Sequence, residues 1–314
     1  MQDMRTLASA PVAPRKTASG FQVSLRRFRM HDYDTVAKQW KEAGVKFRPE
    51  GIDSPERIAF QLRHPSSLYF VAEAEGRPAG AIFATHDGRN GWINQLAVSP
   101  EFQKKGIGSL LLQEAEAHIF GMDVGMAFLL AGKDSPSLEF FKKCGYRFFF
   151  RGTETQNQVM SRMPLPRQAP VHPEIIVRRL RPSDYDAVLR LWDGAKIFYE
   201  QDCRDSRKRF ADQCNSDMCA HLAAEQRGEI VGVLFSAHDW RKFYSDRLVV
   251  AESARRQGIA LLMFGEVERL ALRLGLEMVS FVYVENSAST ALHLGMGCSP
   301  SLEYELGGKR THSK

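Results

Sequence analysis

The pattern of apolar and polar positions predicts the same order of elements twice along the chain. Short apolar runs at 67–74 and 79–85, joined by the turn EGRP, predict a pair of strands. The run WINQLAV at 92–98 leads into a loop and then into a helix with an apolar stripe. The second half repeats this order through VGVLFSA, KFYSDRLVV and a helix that begins at Ile259. The pattern therefore predicts an α/β (α+β) chain of two similar units, each a mixed, mostly antiparallel sheet flanked by helices.

Residue identities at a constant offset of 152 positions support this reading. VSLRRFRMHDYDTV at 23–36 aligns without a gap with IIVRRLRPSDYDAV at 175–188, and seven of the fourteen positions are identical. The same offset pairs Trp40 with Trp192. A repeat of this length has the size of a domain and is too long for a solenoid unit. The chain is predicted to hold two copies of one fold.

Local signals set the predicted boundaries. Asp32 and Asp184 are expected to cap the first helix of each copy, and Ser54-Pro55 to begin the second helix of copy one. The predicted segments are a flexible tail at 1–20, domain 1 at 21–160, a proline-rich linker at 161–173, domain 2 at 174–306 and a basic tail at 307–314.

Composition narrows the functional classes. The net charge is +6, but the segments 1–20 and 307–314 supply +5 of it, so the body lacks the basic face expected of a nucleic-acid binder. No apolar run approaches the ~18 residues that span a membrane. The N-terminal segment lacks the apolar centre of a signal peptide, and five cysteines without a CxxC pair fit a reducing cytosol, so a cytoplasmic location is expected. A metal site from Cys203, Cys214, Cys219 and His221 matches no zinc spacing, and no metal is predicted.

A basic, glycine-centred loop follows the third long strand of each copy: QKKGIG at 103–108 and RRQGIA at 255–260. The first turn of a helix has unpartnered N–H groups and a positive dipole end. Glycine lets these groups approach an anion closely, and the basic side chains add charge suited to phosphates. Each loop is therefore predicted to suit a pyrophosphate, although an ordinary helix start after a basic turn is the alternative.

The wider context of the loops is also repeated. Copy one has LAVSPEFQKKGIG and later SLEFFKKCGY, and copy two has LVVAESARRQGIA and later NSASTALHLGMG. These motifs resemble those of the GNAT superfamily of acetyltransferases. The resemblance covers about 21–160 and 174–306 and implies that each loop holds the pyrophosphate of acetyl-CoA. It further implies strand-like pairing of the cofactor arm with the preceding strand, and a cofactor contact by Asn286, where copy one has Asp134. The implied cofactor residues are Leu96, Ala97, Val98, Gln103, Lys104, Lys105, Gly106, Ile107, Gly108 and Ser109 in copy one, and Leu248, Val249, Val250, Arg255, Arg256, Gln257, Gly258, Ile259, Ala260 and Asn286 in copy two.

The catalytic groups implied by the resemblance are less complete. The family often has an acidic residue two positions before the L-x-V, where copy two has Asp246 and copy one has Asn94. The family's tyrosine acid is replaced by Phe141 in copy one and by His293 in copy two. Asp246 and His293 are therefore the predicted base and acid, and copy two is the favoured catalyst. The dyads His86-Asp87 and His238-Asp239 are interpreted as turn chemistry.

These features predict an acetyl-CoA-dependent N-acetyltransferase that acts by direct transfer on a small-molecule or peptide amine, without nucleic-acid or membrane partners. The alternative is an acyl-CoA-binding or scaffolding protein in which one or both domains are inactive. The sequence names neither the acceptor nor the oligomeric state.

Overall fold

The structure is a computed structural model of the chain, and it describes residues 14–122, 124–132, 135–148, 157–162, 172, 174–283, 286–301 and 304–310. The first half contains, in chain order, β1 (Arg15–Lys16), β2 (Gln22–Arg27), α1 (Tyr33–Glu42), α2 (Pro55–Gln61), β3 (Ser67–Ala74), β4 (Arg77–His86), β5 (Gly91–Val98), α3 (Ile107–Gly121), β6 (Met126–Gly132), α4 (Ser137–Lys143) and β7 (Arg147–Phe148). The strand β8 (Asn157–Arg162) follows. The second half contains β9 (Ile175–Arg179), α5 (Tyr185–Gly194), α6 (Arg207–Cys214), β10 (Leu222–Gln226), β11 (Glu229–His238), β12 (Lys242–Val250), α7 (Ile259–Leu274), β13 (Glu277–Tyr283), α8 (Ser287–Gly295), β14 (Ser299–Ser301) and β15 (Tyr304–Arg310).

The strands form two mixed sheets with the same architecture. One sheet has the order β1-β2-β3-β4-β5-β6-β15-β7, and the other has the order β9-β10-β11-β12-β13-β8-β14. All pairs in both sheets are antiparallel except β5 with β6 and β12 with β13, which are parallel. Domain 1 is used below for the first sheet with α1–α4, and domain 2 for the second sheet with α5–α8. The prediction of two mixed, mostly antiparallel sheets flanked by helices is confirmed.

The two domains exchange one strand each. β8, which follows domain 1 in the sequence, pairs with β13 of domain 2, and β15 at the end of the described chain pairs with β6 of domain 1. The predicted boundaries are therefore wrong at two places: 157–160 belong to the second sheet, and 304–310 belong to the first. The sequence gives no signal for this exchange, because β pairing between distant segments depends on how the domains dock. Most of the predicted linker lies outside the described residues.

Part of the predicted N-terminal tail is folded. Arg15 and Lys16 pair with Val23 and Gln22 as an edge strand, and Arg15 forms an ion pair with Glu114 of α3 at 2.9 Å. Residues 1–13 lie outside the described residues. The predicted tail at 1–20 is therefore wrong for the segment that precedes β2.

Helix starts follow the sequence signals in part. Ser54 accepts a hydrogen bond from the backbone N–H of Arg57, with Pro55 at the first helical position, as predicted. Asp32 precedes α1, but its carboxylate binds the Arg26 guanidinium at 2.7 Å and makes no capping bond to the helix. Asp184 and Arg178 repeat this contact in domain 2. The identical arginine and aspartate of the repeat thus form a strand-to-helix ion pair. Both aspartates hold the predicted N-cap positions, but neither side chain makes a capping bond.

Each sheet is covered on both faces by apolar side chains. In domain 1, one cluster lies under α3, and the other, with Trp40 and Phe83, lies under α1 and α2. Domain 2 has the corresponding pair of clusters. A fifth cluster joins the domains, because the Trp92 ring stacks on Tyr244 at 4.0 Å and on Phe281 at 5.4 Å. This aromatic contact holds β5 of domain 1 against β12 and β13 of domain 2.

Candidate functional site

The loops before α3 and α7 have the same backbone conformation. Lys104 and Gly106 have φ angles of 59° and 85°, and Arg256 and Gly258 have φ angles of 65° and 79°. Left-handed residues at these alternate positions turn successive N–H groups toward one side, which forms an anion-binding concavity. The helices begin directly afterwards, at Ile107 and Ile259, so that their N-terminal N–H groups add to the same surface. Both loops therefore have a backbone geometry that can bind an anion.

The parallel strands β5 and β6 part beside the domain 1 loop. Their register runs only from Gly91 to Ile93, opposite Ala127 to Leu129. The register of β5 with β4 shifts at the same place, which leaves Asn94 as a bulge. Beyond this point one edge of β5 is no longer covered by β6. β12 and β13 part in the same way after Ser245 and Ser280.

A cavity of about 1030 Å³ lies in the opening between β5 and β6. Asn94 and Phe141 line it, and so do charged residues at the end remote from the loop. Of the ten cofactor residues predicted in domain 1, nine line this cavity: Leu96, Ala97, Val98, Gln103, Lys104, Gly106, Ile107, Gly108 and Ser109. Lys105 instead places its ammonium over the rings of Phe21 and Phe102, at 4.7 and 5.0 Å.

The domain 2 residues predicted to bind the cofactor occupy equivalent positions. Arg255 Nε donates to the carbonyl oxygen of Val250 at 3.3 Å, just as Gln103 Nε2 donates to that of Val98 at 3.0 Å. Each bond ties a loop to the end of the preceding strand. Asn286 uses its side-chain oxygen to accept the N–H of Ser289 at the start of α8. Its counterpart Asp134 lies outside the described residues.

The two predicted catalytic residues of domain 2 lie in different surroundings. Asp246 is on β12 at the shift in register, and its carboxylate lies 3.8 Å from Nε of Arg89 of domain 1. His293 is 3% exposed, its ring packs edge-on against Phe264 of α7, and its Nδ1 lies 2.8 Å from the carbonyl oxygen of Ser289. These contacts are typical of a structural histidine between two helices. The roles of Asp246 and His293 stay predictions.

A pair of buried arginines crosses between the domains. Arg241, in the turn before β12, places Nη2 2.5 Å from Oδ1 of Asp53 in domain 1. The same guanidinium donates to the side-chain oxygens of Gln61 and Gln95, at 3.3 and 3.1 Å. Arg241 also lines the domain 1 cavity. A residue of domain 2 is thus built into the site of domain 1.

Arg89 makes the reciprocal contact in domain 2. Its Nη2 lies 2.9 Å from Oδ1 of Asp205, and its Nη1 donates to Gln213 at 3.2 Å. Arg247 lies 2.8 Å from the same carboxylate oxygen. Burial alone would raise the pKa of Asp205, but the coulombic attraction of Arg89, Arg247 and Arg204 outweighs it and lowers that pKa to about 2. Asp205 is therefore ionised at every physiological pH.

The His-Asp dyads form turns, as predicted, and these turns also position the two arginines. Asp87 Oδ1 accepts the N–H groups of Arg89 and Asn90, at 2.8 and 2.6 Å. Asp239 Oδ1 accepts the N–H groups of Arg241 and Lys242, at 2.9 and 2.7 Å. Each aspartate thus fixes the hairpin tip that carries an arginine into the other domain.

This arrangement was not predicted from the sequence, although the sequence contains a signal for it. Arg89 and Arg241, Asp53 and Asp205, and Gln61 and Gln213 are identical pairs at the offset of 152. Identity at equal spacing indicates equal surroundings in the two copies. It does not show that each arginine contacts the aspartate of the other copy, because that depends on docking.

Two further findings concern function classes. Among the described residues no helix combines the length and apolar character needed to cross a bilayer. Within the same part of the chain, no three His, Cys, Asp or Glu side chains come together as a group that could hold a metal ion.

Comparison with known proteins assigns this architecture to a family. The sequence model of the acetyltransferase (GNAT) family matches the chain twice, at 33–146 and 185–297. These two segments make up more than half of the chain, which therefore belongs to the acetyltransferase (GNAT) family. The prediction of two tandem GNAT domains is confirmed, and family membership supports an acyltransferase.

Solved structures of similar proteins show the same fold over nearly the whole chain. A GCN5-related N-acetyltransferase from Sphaerobacter thermophilus is 18% identical, with a TM-score of 0.55 over 94% of this chain and 97% of that chain. A Drosophila protein is 14% identical, with a TM-score of 0.54 over 91% and 98%. A tandem GNAT protein from the clavulanic acid biosynthesis pathway is 16% identical, with a TM-score of 0.50 over 93% and 99%. At these low sequence identities, the comparison shows a shared fold only.

Proposed function

We propose that the protein is an acetyl-CoA-dependent N-acetyltransferase that passes the acetyl group directly to an amine in the cleft of domain 1. The observation that carries this proposal is that one continuous cavity of about 1030 Å³ joins the loop before α3, the uncovered edge of β5 and a charged far end. A donor with an anionic pyrophosphate at one end and a thioester at the other matches the loop and the strand edge, in the order in which they follow along the cavity. The charged end is then left for the acceptor.

The loop and the strand edge fit the two parts of acetyl-CoA. The loop N–H groups and Lys104 suit the pyrophosphate, and the backbone of Leu96–Val98 suits the amide groups of the pantetheine arm. At Gly108 a Cβ atom would come within 3.4 Å of the Phe140 ring, so that a larger residue would narrow the cleft. When bound, acetyl-CoA supplies the activated acyl group.

The chemistry requires a neutral amine. Its nitrogen attacks the thioester carbonyl carbon, so that an N–C bond forms, the C–S bond breaks and coenzyme A leaves as a thiolate. A thiolate with a pKa near ~8.5 can leave without an acid, which suits a site in which Phe141 replaces a proton donor. Asn94 donates to Thr85 Oγ1 at 2.9 Å and cannot take the amine proton. The proton therefore goes to water or to Glu277, a domain 2 carboxylate that lines the same cavity with 19% of its side chain exposed.

A non-catalytic acyl-CoA-binding module is the second candidate. Phe141 and Asn94 both line the cavity at positions where the GNAT resemblance leads one to expect an acid and a base. Such a module would bind acetyl-CoA but release no free coenzyme A in the presence of amines.

Substitution of Gly106 by valine tests the proposal. Valine would have to adopt a φ of 85°, and its Cβ would lie 2.9 Å from Cβ of Thr17. The loop would then move, and the loss of one or two charge-assisted hydrogen bonds would lower acetyl-CoA affinity roughly ten- to a hundredfold or more. Calorimetric titration measures the affinity and the number of molecules bound, and detection of the coenzyme A thiol over an amine panel measures turnover.

Gly258→Val is the matched comparison, since it imposes the same strained φ in domain 2 with no heavy atom within 4 Å of the new Cβ. If acetyl transfer takes place in domain 1, Gly106→Val should lower turnover and Gly258→Val should leave it largely unchanged. Loss of turnover in the Gly258 variant alone would overturn it in favour of Asp246 and His293, and Asp246→Asn should then lower turnover without weakening acetyl-CoA binding. Tight binding without turnover of any amine would identify the binding module.

A further inference from the structure

The acceptor end of the domain 1 cavity is completed by domain 2. Arg241, Lys242, Glu277 and Val279 all line the cavity, and all four come from β12, β13 or the turn before β12. Arg48 of domain 1 closes the same end by an ion pair with Glu277 at 3.0 Å. The docking of the two domains therefore determines the shape and charge of this end.

Positive charge is in excess there. The charged side chains that line this end are four cations and two carboxylates: Lys46, Arg48, Arg241 and Lys242 against Asp53 and Glu277. Both carboxylates already have a guanidinium partner, since Asp53 binds Arg241 and Glu277 binds Arg48. The formal charge of these six side chains is therefore +2.

Lys242 is the cation best placed to meet a ligand. Its backbone N–H is held by Asp239, but its ammonium makes no ion pair within 4.0 Å among the residues that the structure describes. Burial lowers the pKa of Lys242, against a smaller attraction from Glu277, its neighbour across the parallel strands. A partly desolvated ammonium without a counter-ion binds an anion favourably, because little further desolvation is needed.

This charge is remote from the surface proposed for the pyrophosphate. Arg241 contacts Gln95 on β5. Val98 lies three residues further along β5, at the end of the strand that leads into the loop. At ~3.3 Å per residue these positions are about 10 Å apart, and the loop lies beyond Val98. The excess positive charge is therefore placed to act on the acceptor.

We propose that the acceptor is an amine that also carries an anionic group, a carboxylate or a phosphate, and that Lys242 of domain 2 binds this group in the cleft of domain 1. The inference rests on the proposed acetyl transfer. It assigns the choice of acceptor in one domain to a residue of the other.

Matched amines test the substrate class on the unmodified protein. Each pair shares an amine and differs in the anion: alanine with ethylamine, lysine with cadaverine, 4-aminobutanoate with propylamine, and O-phosphoethanolamine with ethanolamine. The anionic member of at least one pair should have a kcat/KM about tenfold or more above its partner, as expected for one charge-assisted hydrogen bond. The last pair separates phosphate from carboxylate recognition. Equal rates, or a preference for the members without the anion, would overturn the inference and leave the proposed acetyl transfer intact.

Substitutions at Lys242 test the residue. Lys242→Gln should raise the KM of the preferred anionic acceptor about tenfold or more, leave acetyl-CoA affinity unchanged and have little effect on the paired amine without the anion. Lys242→Arg should keep most of the affinity for the anionic acceptor, because a guanidinium also binds anions. If Lys242→Arg is as impaired as Lys242→Gln and the alkaline limb of the pH profile is lost, Lys242 is a proton acceptor, and its role in binding is overturned. Lys208→Gln, on α6 with its side chain 82% exposed, is the control for loss of a positive charge. Absence of turnover with every amine, with acetyl-CoA bound normally, would overturn both the inference and the proposed transfer.

Discussion

Replacement of Arg241 by methionine is expected to lower the free energy of unfolding by about 3–5 kcal/mol. Asp53 is 1% exposed and would lose the guanidinium that lies 2.5 Å from its carboxylate. An uncompensated buried charge accounts for most of the expected loss, because water cannot reach it. Urea denaturation followed by tryptophan fluorescence measures the change, since Trp92 lies in the aromatic cluster between the domains.

The double variant Arg241→Met/Asp53→Leu is the control for this prediction. When both charges are removed, no buried charge is left unpaired, and the double variant should recover part of the stability lost in the single variant. Recovery should be incomplete, because the Arg48 N–H and the Gln95 amide lose their bonds to Asp53. Arg89→Met in the reciprocal contact should cost less than Arg241→Met, because Arg247 still lies 2.8 Å from the buried Asp205 carboxylate. A loss below about 1 kcal/mol in both single variants would mean that the contacts between domains contribute little to the fold.

Acidification from pH 6.5 to 3 is expected to destabilise the protein through His221. Burial, aided by Arg89, lowers the pKa of His221 to about 3. The unfolded chain binds this proton near pH ~6.5 and the folded chain does not, so the stability present above pH 6.5 is lost as the pH falls toward 3. At pH 5 the loss from this one residue is about 2 kcal/mol. Denaturation curves at several pH values measure it.

His221→Tyr separates this residue from the other buried histidines. Tyr69 holds the equivalent position in domain 1, where its hydroxyl donates to Gln61 at 2.5 Å, as the His221 ring contacts Gln213 at 3.0 Å. The variant should therefore lose stability less steeply between pH 6.5 and 4. Burial also lowers the pKa of His86 and His238, so a residual slope is expected, and Asp205 adds its own loss only below pH ~4. An unchanged slope in the variant would contradict the assignment.

The sequence predicted the repeated fold because its signals are local. Alternating apolar runs, the turn EGRP and the cap at Ser54 each depend on a few neighbouring residues. The loops were also predictable, since a glycine after a basic turn and before a helix implies the backbone conformation seen at Gly106 and Gly258.

The charged end of the site could not be predicted in the same way. Arg241 and Lys242 follow a turn signal in the sequence, and nothing near them points to Asp53, which is remote in the chain. Likewise, YELGGKR at 304–310 has two glycines and two basic residues, a composition that favours a tail, yet pairing with β6 makes it a strand. In both places long-range docking overrides local preference.

The exchange of β8 and β15 has a consequence for how the two halves could exist apart. Each half contributes to the other a strand from the interior of a sheet, so a half made alone would leave a bare strand edge where its partner's strand belongs. A cut in the backbone between residues 162 and 174 should leave two fragments that travel together on a native sizing column and separate only in denaturant. Two genes encoding the halves should likewise give folded protein only when expressed together. In an organism that carries this duplicated gene, deletion of the segment that encodes either half would therefore leave the remaining half without a complete sheet.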